Sequence, residues 1–152
     1  MEKPVVNLPG IGVAVVVFKD GKILLGEDLG KGKEVVFGVP GGHWDHGETI
    51  AEAARREVFE EAGIKIKNLK LISVYDFFRE DKNKNYVSIG FRAEYESGDL
   101  KDESELTRKN WQWFDFVELP NNLFGPDNVL LSRVENSIIW EEKQENNQNI
   151  QP

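Results

Sequence analysis

The stretch that decides the fold is Gly42–Ile64, GHWDHGETIAEAARREVFEEAGI. Thr49 and Glu52 form a T-x-x-E capping box, which starts a helix at about Ile50. Gly63 stands where a left-handed C-cap would end it. Ala51, Ala54, Val58 and Ala62 fall on one stripe, predicted to face the core. Glu57, Glu60 and Glu61 stand at i, i+3 and i+4 along the border of that stripe, over an arc of about 100°. Like charges at that spacing cost helix stability. Small alanines let the helix approach its neighbours closely, which puts the carboxylates in a partly desolvated groove. Repulsion there raises at least one carboxyl pKa unless a cation intervenes. Hard oxygen ligands suit Mg²⁺ or Mn²⁺. A divalent cation beside a glycine turn points to phosphate chemistry.

Outward from this segment the chain alternates strands and turns. Gly10 to Lys19 is a β-branched run suited to a buried strand, and Asp20-Gly21 is a hairpin signal returning through Lys22 to Gly26. Glu27 to Lys33 reads as a polar loop, and Val35 to Val39 as a short strand ending in Pro40-Gly41-Gly42. After the helix, Ile64 to Phe78 reads as a long strand interrupted at Lys67-Asn68, with Tyr86 to Tyr95 as its antiparallel partner. Ser97 to Lys109 is a polar loop, and Trp111 to Phe116 alternates as a half-buried strand does. Val129, Leu130, Val134 and Ile138 recur at helical spacing and predict a second helix to about Trp140. Mixed strands with two separated helices predict a sheet covered on both faces, an α/β/α sandwich over residues 1–140. Residues 141–152 are polar and predicted to be a disordered tail.

Composition narrows the function. The chain has 152 residues, no cysteine, and a formal charge of −8 from 19 basic and 27 acidic residues. That balance argues against sequence-blind binding of nucleic-acid polymers, which needs a basic surface. It does not exclude an anionic small molecule, because a bound metal can reverse the local sign. No apolar run reaches the ~18 residues of a membrane span. The N-terminal MEKPVVNLPG lacks a signal-peptide pattern, so the expected compartment is the cytoplasm.

The central segment resembles the signature of the Nudix hydrolases. Gly42, Glu48, Arg56, Glu57, Val58, Glu60, Glu61, Gly63 and Ile64 fill all nine specified positions over 23 residues. The likeness extends over roughly residues 8–140. It implies a metal-dependent enzyme that cuts a phosphoanhydride bond in a nucleoside diphosphate linked to another group. It implies Glu57, Glu60 and Glu61 as metal ligands with the Gly42 carbonyl as an addition, and Mg²⁺ or Mn²⁺ as the cation. Arg56 would orient the carboxylates, and Glu48 would hold Arg56 by an ion pair. Glu57 or Glu60 would accept a proton from water. Other family members add an acid from a later loop, for which this chain offers Asp102, Glu103 and Glu105.

Substrate contacts are sought among Trp44, Phe78, Trp111 and Trp113 as stacking groups. The alternation in WQWFDF leaves open whether Trp111 and Trp113 face inward. Close relatives often carry Arg where this chain has Glu27, so Lys31 or Lys33 is the candidate replacement. His43 and His46 are read as shaping the glycine turn and are given no catalytic role. The marks of the ADP-ribose, dinucleoside polyphosphate and NADH-cleaving classes are absent. The runs GVPGGHWDHGET, YVSIGFRAEY and WQWFDFVELP look most like small nucleoside triphosphate diphosphatases, some of which act on oxidised or unusual nucleotides. The expected reaction yields a nucleoside monophosphate and pyrophosphate. The alternatives are an ADP-ribose or nucleotide-sugar pyrophosphatase and a non-catalytic binding module of the same fold. The resemblance also makes a homodimer plausible.

Overall fold

Val13, Val15 and Val17 alternate along one strand with Ala14 and Val16, and all five are buried. A strand apolar on both sides must be covered on both sides. The computed structural model shows that arrangement, and it describes residues 7–29, 34–101, 108–136 and 139–142. Its strands are β1 (Gly10–Lys19), β2 (Lys22–Leu29), β3 (Val35–Gly38), β4 (Gly41–His43), β5 (Lys65–Arg79), β6 (Lys84–Ser97) and β7 (Arg108–Asp115). Its helices are α1 (Ile50–Ala62) and α2 (Gly125–Ser132). The seven strands form one mixed sheet in the order β3-β2-β1-β6-β5, with β4 on β1 and β7 on β2. The α1 stripe of Ala53, Ala54, Val58 and Ala62 packs with Val13, Val15, Val17 and Leu24. On the opposite face Leu130 and Leu131 of α2 pack with Ala14, Val16, Ile23 and Leu25. The expected α/β/α layering is therefore correct.

One topological detail positions the site. β1 and β2 pair only beside their hairpin, at Phe18↔Ile23 and Lys19↔Lys22. Farther along, β2 pairs with β3 on that same edge, while β1 pairs with β4 at Gly12–Ala14. The sheet thus forks between β1 and β2. The link Val39-Pro40 sits in the fork, and Val15 N–H donates to Pro40 O at 2.9 Å. β1 meets β6 in parallel register from Gly10↔Tyr86 to Phe18↔Glu94, which fixes the side of the fork opposite β2.

The α1 boundaries match the expectation from its caps. Glu52 N–H donates to Thr49 Oγ1 at 3.2 Å, and Thr49 N–H donates to Glu52 Oε2 at 2.7 Å. Gly63 closes the helix at φ 81°. A Cβ there would also stand 2.9 Å from the Asp99 carbonyl oxygen. Gly63→Ala should therefore lose at least about 1–2 kcal/mol from the left-handed backbone alone. Urea unfolding checks this, and an unchanged midpoint would contradict it.

Three expectations need correction. The loop predicted from Glu27 starts later, because Glu27, Asp28 and Leu29 pair with β3 and extend β2. The break at Lys67-Asn68 is a bulge within β5, where Asn68 takes φ 54°. The second helix ends at Ser132, well before Trp140. Arg133 leaves the helix to donate to Ser73 Oγ, Val74 O and Ile139 O, and Val74 N–H donates to Ile139 O. The chain after α2 is thus held against β5. Ile138 and residues 143–152 of the predicted tail lie outside the described residues.

Candidate active site

Arg56 is the hub of the signature segment. Its Nε and Nη2 donate to the two Glu48 carboxylate oxygens at 2.9 and 2.7 Å. Nη1 donates to Glu57 Oε1 at 2.9 Å and to Glu60 Oε2 at 3.2 Å, and Nη2 also reaches His43 O at 2.9 Å. This fork geometry is what a guanidinium supplies and an ammonium does not. The Arg56 hydrogen bonds, with the Asp45 N–H, hold the Glu48 carboxyl below its usual range. The Glu48–Arg56 bonds tie the turn to the helix.

The three helix carboxylates differ in surroundings. The Glu57 side chain is only 13% exposed, and that of Glu60 is 57% exposed. Burial pushes the Glu57 carboxyl up, against the pull of Arg56. Burial pushes the Glu61 carboxyl up to about 7, although the Arg108 charge and the Gly41 N–H both oppose it. That N–H donates to Glu61 Oε2 at 2.9 Å. Gly42 lies directly under Glu57, and a Cβ on it would stand 2.4 Å from the carboxyl carbon and 2.5 Å from each oxygen. The first glycine of the signature is thus fixed by the close approach of backbone and acid.

A divalent cation suits this donor set. The acids supply hard oxygens, and burial leaves Glu57 and Glu61 with charge that local donors do not fully compensate. Among the described residues no three acidic or imidazole side chains are gathered tightly enough to hold a metal as they stand. As they stand, Glu57 and Glu60 both accept from Arg56 Nη1, and Glu61 accepts from the Gly41 N–H.

A cavity of about 920 Å³ opens beside Gly42 and His43 and runs toward α2. Tyr75, Phe77 and Tyr86 form one aromatic row along its wall, continued by the His43 ring. Phe77 stacks on Tyr86 at 5.5 Å and 12°, Tyr75 lies 6.3 Å from Phe77, and His43 lies 6.0 Å from Tyr86. Phe78 also lines the cavity and is exposed. Arg108 and Asp127 line it too. Burial pushes Asp127 up to about 6, against the Arg108 charge and the Val39 N–H. The sign of the pH effect follows. A carboxyl whose folded pKa exceeds its unfolded value favours the fold while protonated, and that advantage is lost as pH rises through the folded pKa. Asp127→Asn should therefore gain stability relative to the wild type as pH climbs from about 4 to 6, by on the order of 2–3 kcal/mol. Paired denaturation curves at the two pH values check this, and a gain in the opposite direction would contradict it.

The structure treats the other candidate contacts differently. Trp111 is buried in the α1-side core, where Trp113 also packs, edge-on to Tyr95. Neither indole lines the cavity, so the inward face of β7 belongs to the core. Trp44 is exposed and its Nε1 donates to Glu48 O at 2.9 Å, which braces the turn. Lys31, Lys33, Asp102, Glu103 and Glu105 lie outside the described residues. Sequence reading missed Tyr75, Phe77 and Tyr86, although the i, i+2 aromatic pair and its cross-strand partner are visible in the sequence. For Arg108 and Asp127 it offered no signal, because one opens a strand and the other reads as an ordinary acid in the first turn of a helix.

The NUDIX domain family model matches residues 8–133. This chain belongs to the Nudix family. It is 32% identical over 122 residues to an ADP-ribose pyrophosphatase of Methanocaldococcus jannaschii, covering 80% of this chain and 71% of that protein. It is 33% identical over 128 residues to the NAD-capped RNA hydrolase NudC of Escherichia coli, covering 83% of this chain but only 46% of that protein. A crystal structure of a MutT Nudix hydrolase from Burkholderia pseudomallei matches with a TM-score of 0.75 and 27% identity, over 84% of this chain and 98% of that one. Membership makes this Nudix protein a hydrolase of phosphoanhydride bonds. Nudix hydrolases generally need divalent metal ions. Among the described residues no helix is long and apolar enough to cross a membrane.

Proposed function

We propose that this Nudix hydrolase cleaves a nucleoside triphosphate to a nucleoside monophosphate and pyrophosphate, with Mg²⁺ or Mn²⁺ held by Glu57, Glu60 and Glu61 and assisted by the Gly42 carbonyl. The observation that carries this reading is the aromatic-walled cavity, which opens at Gly42 and His43 within a single chain. A base stacked along Phe77 and Tyr86 directs its phosphates toward the α1 carboxylates. A cation held there would neutralise phosphate charge and acidify water. Arg56 keeps the carboxylates oriented, and Glu48 keeps Arg56 in place. Water attacks phosphorus, the P–O bond to the departing pyrophosphate breaks, and the released proton passes to Glu57 or Glu60.

A second reading is supported by the M. jannaschii relative, whose name gives ADP-ribose as its substrate. One experiment separates the two. The protein is incubated with Mg²⁺ and a panel of nucleoside triphosphates, ADP-ribose and nucleotide sugars, and products are identified by ³¹P NMR. Pyrophosphate from a triphosphate is the expected result. AMP with ribose phosphate from ADP-ribose, and no pyrophosphate from any triphosphate, would overturn it in favour of the second reading. No turnover of any member of the panel, with Mg²⁺ or in a repeat with Mn²⁺, would instead indicate a binding module.

A further inference from the structure

Val39 is buried in the fork between β1 and β2, and both of its backbone polar groups, which belong to two adjacent peptide bonds, are taken by side chains. Its N–H donates to Asp127 Oδ2 at 2.9 Å, and its carbonyl accepts from Arg108 Nη1. Pro40 O is held by Val15 N–H, and Gly41 N–H is held by Glu61. Three consecutive residues are thus gripped from α2, β7, β1 and α1. The fit is close, since a Cβ on Gly38 would stand 2.8 Å from both Arg108 Cζ and Asp127 Oδ2.

We infer that Arg108 and Asp127 are positioning residues that clamp the Val39 backbone and thereby hold Gly41 against Glu61 and Gly42 beneath Glu57. Packing alone does not explain the pair. Burying a guanidinium and a carboxylate costs more than burying apolar groups of the same volume. Among the described residues the buried Arg108 Nε has no hydrogen-bond partner. Among those residues Arg108 also ion-pairs with Asp28 at 3.6 Å and lies 5.5 Å from the Phe124 ring, and its charge acts on Asp127 and Glu61. What the pair does fulfil is the hydrogen bonding of the two peptide groups that flank Val39, two residues before the backbone on which the site is built. Through that segment, residues on the α2 side of the sheet set the geometry of carboxylates on the α1 side. A misplacement of about 1 Å at a reacting centre can cost ~100-fold in rate.

This inference rests on the reading of Gly42, Glu57 and Glu61 as the hydrolytic site, and its test separates the two. Full-length wild type, Asp127→Ala, Asp127→Asn and Arg108→Met are compared in two ways. The first is amide hydrogen exchange at Val39 and Gly41 in metal-free protein. The second is kcat and KM on the triphosphate cleaved best by the wild type. Asp127→Ala should speed exchange at both amides by at least ~10-fold and lower kcat ~10–100-fold, with KM changed less than ~3-fold. Asp127→Asn keeps an oxygen for the Val39 N–H and should restore most of both. Arg108→Met should reproduce the Gly41 effect, and it carries the test if Asp127→Ala does not fold. Unchanged exchange in both variants overturns the clamp. A raised KM with intact kcat overturns it too, and assigns Asp127 to direct contact with the substrate. A wild type without turnover removes the hydrolytic reading, while the exchange measurement still decides the clamp.

Discussion

Glu57→Gln should lower kcat by at least ~100-fold, because metal and acid–base contributions are each of that order. The side chain sits over Gly42 with little exposure and shares Arg56 with Glu48 and Glu60. An amide keeps the volume but removes a charged hard-oxygen donor from the proposed metal site. The fold should tolerate it. The amide still offers an oxygen to Arg56 Nη1, so it loses the charge assistance of one hydrogen bond and little else. The expected result is near-complete loss of turnover with a melting temperature within a few degrees of wild type. Full activity in a folded Glu57→Gln protein would remove Glu57 from the site.

Arg56→Lys should be the second most damaging change, and it should affect the fold as well as the rate. The guanidinium donates at once to Glu48, Glu57, Glu60 and the His43 carbonyl. A lysine retains the charge but cannot span these acceptors in one plane. Hydrogen bonds to charged groups are worth about 1.5–3 kcal/mol each when broken on one side. The site is a quarter exposed, so solvent recovers part of that loss. A net destabilisation of about 1–3 kcal/mol is expected, with kcat lowered ~10–100-fold as the carboxylates lose alignment. Thermal unfolding and steady-state kinetics on the same preparation test both effects. A lysine variant with wild-type stability and rate would show that charge suffices and that the fork geometry does not matter.

Local signals carried much of this structure in the sequence. The capping box and Gly63 bound α1 because a helix needs its terminal N–H and C=O groups satisfied nearby. Asp20-Gly21 marked its hairpin, since both residues adopt positive φ. The carboxylate edge of α1 was legible from 3.6-residue spacing alone. What stayed hidden depends on partners distant in sequence. The fork that seats Val39 arises from β1 and β2 each exchanging partners along one edge, and no local pattern encodes that. Arg108 reaches Val39 across 69 positions and Asp127 reaches it across 88. Trp111 and Trp113 looked like stacking groups because alternation fixes that two residues share a face, not which layer covers it. α2 ends with Arg133 at its C-cap, whose Nη1 docks on Ser73 and Val74 of β5, a contact between distant residues that helical spacing does not encode.

In the proposed site, acidic side chains of α1 grip a hard cation against the phosphates of a nucleotide. Crystals grown with Mn²⁺ and a non-hydrolysable nucleoside triphosphate test this most directly, by the position of the anomalous manganese peak. The predicted result is a peak about 2.1–2.3 Å from carboxylate oxygens of Glu57 and its α1 neighbours, with the base along Phe77 and Tyr86. Manganese and nucleotide bound together elsewhere, with those carboxylates making no contact to either, would contradict it.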